Sequence, residues 1–320
     1  MKKIIAILLV FALCVWFTAC TQGKEEAVTV NIVALKGPTG IGMAKMMEDN
    51  TDGKYNFTVA AQPTEAVAAV SGKKADIAAV PTNLASTLYN KTEKGVKMIA
   101  INTLGSLYVL ENGNTINSVA DLKGKTIYAT GQGANPEYVL NYILEKNGLT
   151  VGKDITIEFK AEHSELAALM ASGDCLIGML PEPNVSSAMA QNKDLRIALD
   201  LNEEWNKVSD EDSRLTMGCV IVRNEFLEEH PKAVANFIQE LEASVKYAVE
   251  NKADAGALCE KHGIVPKAAL ATKAIPNCNL TVIKGKEMKP AIEGYFKVLY
   301  SANKASVGGN LPDEEFYYIP

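Results

Sequence analysis

The sequence has no basic surplus. Its 320 residues carry 32 Lys and Arg against 38 Asp and Glu, a formal net charge of −6. General nucleic-acid binding needs clustered cations to neutralise phosphates and is therefore not expected. Glycine (23) and proline (12) are too scarce for a collagen-like or low-complexity chain, and 48% hydrophobic residues is the content of a folded protein. The six cysteines form no CxxC pair and the three histidines form no cluster with them, which argues against zinc. HExxH, GxSxG and GxxxxGK[ST] are all absent. Gly131-Gln132-Gly133 begins a GxGxxG pattern, but Pro136 stands where the third glycine is required. No metal, cofactor or catalytic constellation is expected.

What is present begins with a leader. Lys2 and Lys3 precede an apolar run from Ile4 to Phe17, followed by Thr18-Ala19-Cys20. A basic start, a short apolar middle and a small-residue exit make a secretory signal. The run is shorter than the roughly 18 to 20 residues that cross a bilayer as a helix. Phe17-Thr18-Ala19-Cys20 resembles a bacterial lipobox, with Phe17 in place of the usual Leu, so residues 1–19 are expected to be removed and Cys20 lipidated. Polar residues to about position 27 would form the tether. Of the remaining cysteines, Cys175 and Cys219 lie in apolar runs and read as core. Cys259 and Cys278, in a polar helical stretch and a loop, could be bridged in an exported protein.

From Val28 onward, β-rich runs alternate with longer helical patterns, which argues for parallel sheets covered by helices. Ten strands are expected: Val28 to Leu35, Tyr55 to Ala61, Asp76 to Val80, Val96 to Ile101, Ser106 to Leu110, Lys125 to Ala129, Asp154 to Phe159, Cys175 to Met179, Leu195 to Ala198 and Leu215 to Val222. That exceeds one small sheet. Beyond Val222 the period becomes helical, with Val234, Phe237, Ile238, Leu241, Val245 and Val249 forming one apolar stripe.

The strand-to-helix turns carry the chemistry. Lys36-Gly37-Pro38-Thr39-Gly40, Pro81-Thr82-Asn83, Thr130 through Pro136, His163-Ser164-Glu165 and Pro181-Glu182-Pro183-Asn184 each follow a strand. Asn135 is the expected N-cap of its helix, with Pro136 at the first helical position. Helix N-termini gathered at the carboxyl ends of strands offer N–H donors and partial positive charge to a small polar or anionic ligand.

Several segments together resemble one family: the lipobox, Asp76-Ile77-Ala78, Asp121-Leu122-Lys123-Gly124-Lys125, and Phe226-Leu227-Glu228-Glu229-His230-Pro231. They are similar to the substrate-binding lipoproteins of ABC importers, in the branch serving nitrate, sulfonates such as taurine, and thiamine-pyrimidine precursors. The resemblance implies an α/β, two-lobed type II periplasmic-binding-protein-like fold, each lobe a largely parallel sheet flanked by helices. Lobe one would comprise residues 28–104 plus 217–320, and lobe two 105–216, with hinges at Gly105-Ser106 and Thr216-Met217-Gly218. Ligand contacts carried over to the turns are Lys36, Gly37, Thr39, Gly40, Gln62, Thr82, Asn83, Gln132, Gly133, Asn135, His163 and Glu182.

It further implies an extracytoplasmic monomer held to the membrane through lipid on Cys20. Its partners would be a small-molecule solute and an ABC permease with a cytoplasmic ATPase. No arginine lies in these turns and Lys36 is their only cation, so a neutral or zwitterionic ring compound fits at least as well as a sulfonate. The alternative is an enzyme on the same fold, as in menaquinone or thiamine-pyrimidine biosynthesis. Those relatives are cytoplasmic, and the lipobox favours the receptor. An adhesin or signalling protein would require a large exposed apolar patch.

Overall fold

The structure, a computed structural model, describes residues 28–320; the signal segment, Cys20 and the tether lie outside the described residues. In chain order the strands are β1 (Val30–Leu35), β2 (Tyr55–Ala60), β3 (Ile77–Pro81), β4 (Val96–Leu104), β5 (Leu107–Asn112), β6 (Thr126–Thr130), β7 (Thr156–Lys160), β8 (Ile177–Pro181), β9 (Leu195–Asp200), β10 (Thr216–Arg223) and β11 (Leu280–Ile283). The helices are α1 (Pro38–Ile41), α2 (Ala44–Asp49), α3 (Pro63–Ser71), α4 (Thr82–Lys91), α5 (Asn135–Lys146), α6 (His163–Ser172) and α7 (Asn184–Gln191). They continue with α8 (Leu201–Val208), α9 (Asn224–Glu229), α10 (Pro231–Glu250), α11 (Lys252–Lys261), α12 (Ala268–Ala274) and α13 (Met288–Ala302).

All ten expected strands form, and they divide into two sheets. The first has the order β11-β4-β10-β3-β1-β2 and the second β7-β6-β8-β5-β9. In the first, β1 pairs parallel with β2 and β3, while β10 runs antiparallel between β3 and β4. In the second, β6 is parallel to β7 and β8, and β5 runs against β8 and β9. Most strands of each sheet thus point one way, and the strands running the other way make the sheets mixed. Two of those exceptions, β5 and β10, are the strands by which the chain enters the other sheet, β4 leading through Gly105-Ser106 into β5 and β9 through α8 into β10; the third is the edge strand β11, antiparallel to β4.

The central strands are buried on both faces, as helix-covered strands must be. In β3, Ile77, Ala78, Ala79 and Val80 have no exposed surface, and the same holds for Cys219 to Val222 in β10. One apolar core runs continuously from sheet to sheet through Val80, Ile101, Leu107, Leu215, Trp205 and Tyr295. Trp205 on α8 lies 4.8 Å from the Tyr142 ring of α5 and 5.7 Å from the Tyr295 ring of α13. The C-terminal helix therefore packs against the aromatic face of elements belonging to the second sheet. After α13 the chain crosses α4, where Ser86 Oγ and Asn90 Nδ2 donate to Val307 O, and Tyr318 N donates to Met98 O on β4.

Three expectations need correction. β11 has no counterpart among the expected strands: it is short, half-buried throughout and paired only at an edge, so it leaves no alternating pattern to read. On α10, Val249 is 42% exposed and Ala248 is buried instead, because a helical stripe of 3.6 residues per turn passes from Val245 to Ala248. Cys259 and Cys278, expected in polar surroundings, are unpaired thiols fully buried in a cluster with Ile264, Val265 and Ile275.

Candidate ligand-binding cleft

The carboxyl edge of the first sheet is built from the β1–α1 turn outward. Gly37 adopts φ +91° and its N–H donates to Ile264 O. A Cβ on Gly40 would stand 2.0 Å from Leu35 O, so this glycine permits close packing of the turn on β1. Both N–H groups are engaged within the protein, Gly40 with Gly37 O, which corrects the expectation that they face outward. Thr39, almost fully buried, accepts at its carbonyl from Asn102 Nδ2 at 2.8 Å. Gly218 lies against this pair: a Cβ there would meet Thr39 Oγ1 at 2.8 Å and Asn102 Oδ1 at 3.1 Å. Lys36 and Gln62 are exposed. Beside Gln62, the Ala61 N–H donates to Glu65 Oε2 at 3.0 Å.

At the β3–α4 turn, Thr82 is fully buried and its hydroxyl donates to Thr216 O at 2.7 Å, tying the start of α4 to the start of β10. It does not cap its helix. Asn83 reaches across instead: its Oδ1 accepts from Asn135 Nδ2 at 2.9 Å, a direct bond between the strand-end turns of the two sheets. Asn135 is thus not the N-cap of α5. Ala134 occupies that place, Asn135 and Pro136 begin the helix, and the asparagine side chain is directed to the other sheet.

On the second sheet, Gln132 and Gly133 are exposed in the β6–α5 turn. Gly133, at φ +70°, donates its N–H to Glu137 Oε2 at 2.6 Å and accepts at its carbonyl from Tyr138 Oη. His163 opens α6 with its Nδ1 2.6 Å from Thr130 Oγ1, and burial holds its imidazole below the usual histidine value. Glu182 is almost completely buried after β8. Its carboxylate accepts from Ser186 N, Ser186 Oγ and Asn277 Nδ2, yet burial outweighs these bonds and raises its pKa.

Several residues of this arrangement escape sequence reading. Asn102 sits inside a strand rather than at its end; Asn277 and Asn279 lie in the loop before β11. Tyr108 Oη donates to Asn277 O, and Asn279 Nδ2 donates to Gly105 O at the first crossing. The only signal was the Asn277-Cys278-Asn279 run in a loop whose strand was itself not recognisable. The expected residues therefore fall into groups. Thr39, Thr82, Asn83, Asn135, His163 and Glu182 are tied into the facing edges; Gly37 and Gly40 shape a turn; Lys36, Gln62, Gln132 and Gly133 lie exposed. Among the described residues no group of three or more His, Cys, Asp and Glu side chains could hold a metal ion, and no helix is long and apolar enough to cross a membrane.

Two α/β sheets joined by two crossings, with strand-end turns facing one another, define the class of the periplasmic solute-binding proteins. Residues 42–265 match the family of ABC-transporter periplasmic substrate-binding proteins for phosphonate, and the chain belongs to this family. Its role is accordingly binding for transport rather than catalysis. An ABC transporter structure from Parabacteroides distasonis is similar at 25% identity and TM-score 0.76, covering 92% of this chain and 99% of that one. The periplasmic aliphatic sulphonate-binding protein of Escherichia coli shares the fold at 16% identity and TM-score 0.69, over 91% of this chain and 92% of its own. So does the periplasmic nitrate-binding protein of Synechocystis, at 13% identity and TM-score 0.53, over 82% and 74%. The sequence matches none of the curated proteins.

Proposed function

We propose that the protein is a monomeric, lipid-anchored extracytoplasmic receptor that captures a small organic solute between its two sheets. Closure about the two crossings presents the solute to an ABC permease with its cytoplasmic ATPase. Lobe one would be residues 28–104 with 217–320 and lobe two 105–216. The observation that carries the reading is the Asn135–Asn83 bond, which joins the facing turns of the two sheets in a chain of this family. A bond at that place stabilises a closed arrangement and is broken when the sheets part. Thr39, Thr82, Asn83, Asn135 and His163 are the residues that would surround the solute. Sulfonate-like and pyrimidine or other heterocyclic molecules are the two cargo classes in keeping with the resemblance and the turns.

Anchoring and capture are tested separately. Cys20→Ser should move the protein from the membrane to the soluble extracytoplasmic fraction without altering solute binding; retention on the membrane would refute the lipid anchor. Thermal melts against a solute panel should show a class-specific shift, since ligand at 100 times its Kd adds about 2.7 kcal/mol.

A further inference from the structure

Each of the two crossings has a bond between the sheets beside it. Next to the second crossing, Thr82 Oγ1 donates to Thr216 O, and the neighbouring Asn83 accepts from Asn135 of the other sheet. Next to the first, the loop before β11 does the reaching. Leu104 N–H donates to Asn279 O and Asn279 Nδ2 donates to Gly105 O, which fixes the loop to the crossing itself. From there Asn277 meets the second sheet twice: its carbonyl accepts from Tyr108 Oη at 2.8 Å, and its Nδ2 donates to Glu182 Oε1 at 2.8 Å. Helix α12, which leads into this loop, packs on α7, which follows Glu182.

Glu182 is 3% exposed. Its Oε1 accepts from Ser186 Oγ at 2.9 Å as well as from Asn277, and its Oε2 accepts from Ser186 N–H at 3.1 Å. Two of its three donors belong to α7, on its own side of the cleft, and stay with it whatever the sheets do. The third comes from the opposite side. When the sheets stand together the carboxylate leaves water and the Asn277 amide replaces part of what it loses; when they part, water takes the place of that amide. Removing the amide therefore leaves the carboxylate a donor short in the closed arrangement alone, and halving a buried charged pair is costly. A bond to a carboxylate is also stronger than the bond between the neutral amides of Asn83 and Asn135.

We infer that Glu182 and Asn277 form a latch that sets how readily the two sheets close on a solute, so that Glu182 is a positioning residue for capture and not a contact of the solute. The inference rests on the receptor reading, in which the two sheets move about the crossings. The latch acts through population: the apparent affinity for any solute falls in proportion to the fraction of molecules able to close.

Small-angle neutron scattering from the full chain in contrast-matched detergent micelles, with no solute, measures closure by itself. Asn277→Ala removes the donor, and Asn277→Asp sets a second carboxylate against Glu182; both should enlarge the radius of gyration while the circular dichroism spectrum stays that of the parent. Glu182→Gln/Asn277→Asp rebuilds the pair in the reverse sense, the new amide donating to the new carboxylate and to Ser186 Oγ while its oxygen accepts from Ser186 N–H, and should return the radius to the parent's. An unchanged radius in Asn277→Ala, or no return in the exchanged pair, overturns the latch. Titration with methylphosphonate and ethanesulfonate then separates positioning from contact. A probe that binds the parent should bind Asn277→Ala about tenfold more weakly and regain the parent's affinity in the exchanged pair. A pair with the parent's radius but weakened affinity shows that the solute touches Glu182 and overturns its assignment as a positioning residue. Radii that behave as expected while neither probe binds the parent support the latch and count against these cargo classes in the receptor reading.

Discussion

At the scale of single residues, His163 and Glu182 make the protein's stability depend on pH in opposite directions. His163 is held below the ordinary histidine value by burial, so the folded protein binds fewer protons there than the unfolded chain does. Its contribution is complete above about pH 6.5 and is lost as the pH falls through the histidine's lowered folded-state value. Glu182 is shifted upward by burial, so the folded state holds its proton at a pH where the unfolded chain has released it. That group adds stability as the pH falls towards the ordinary carboxylate range. The two effects separate in a difference experiment. His163→Gln should flatten the decline in Tm below about pH 6.5, and a variant whose Tm parallels the parent at every pH would show that His163 is not the titrating group.

At the scale of elements, the thiols of α11 and the loop before β11 are the clearest departure from a reading based on surroundings in sequence. Cys259 has Lys and Glu neighbours along the chain, but α11 packs that face against α12, where Ala271 and Ala274 exclude water. Burial pushes the Cys259 thiol up to about 12, and Cys278 is raised as well, so neither is a nucleophile near neutral pH. In the native protein a thiol reagent should therefore label neither cysteine, and both should react after denaturation without added reductant. Labelling that requires reductant would reveal a bridge between them.

Long amphipathic elements were legible because one face repeats: α10 follows its stripe through Val245. Most of the ten strands were legible as apolar runs bounded by turn residues, and β2 and β7 as mixed polar and apolar runs between such turns. β11 was not, since its residues are half-buried and its pairing is confined to the edge of β4. The site was legible in its turns but not in its bonding. Asn135 looks like a cap in any single helix, and only the second sheet's approach to Asn83 gives its side chain another partner. Glu65 and Glu137 read as ordinary first-turn acids, and nothing in spacing reveals that they reach back to the amides expected to meet a ligand.

At the scale of the whole molecule, β10 is inserted between β3 and β4 although it follows all of the second sheet in the chain. The second sheet uses strands drawn from one continuous stretch, β5 to β9, whereas the first needs β10 and then β11. A chain ending at residue 208 should keep amide-exchange protection in β5 to β9 and lose it in β1 to β4. Equal protection in both sets would show that β3 and β4 close without their central partner.

The same insertion sets an order on export. A chain threaded outward from its amino end delivers β3 and β4 with apolar flanks and no strand between them, and they stay open until residues 216–223 emerge more than a hundred positions later. The second sheet can be complete by then, and the returning segment acts as the keystone of the first. During that interval the unfinished sheet edge is the part of the molecule most in need of a chaperone, and slowing translocation beyond residue 200 should increase aggregation more than slowing it after β11 has emerged.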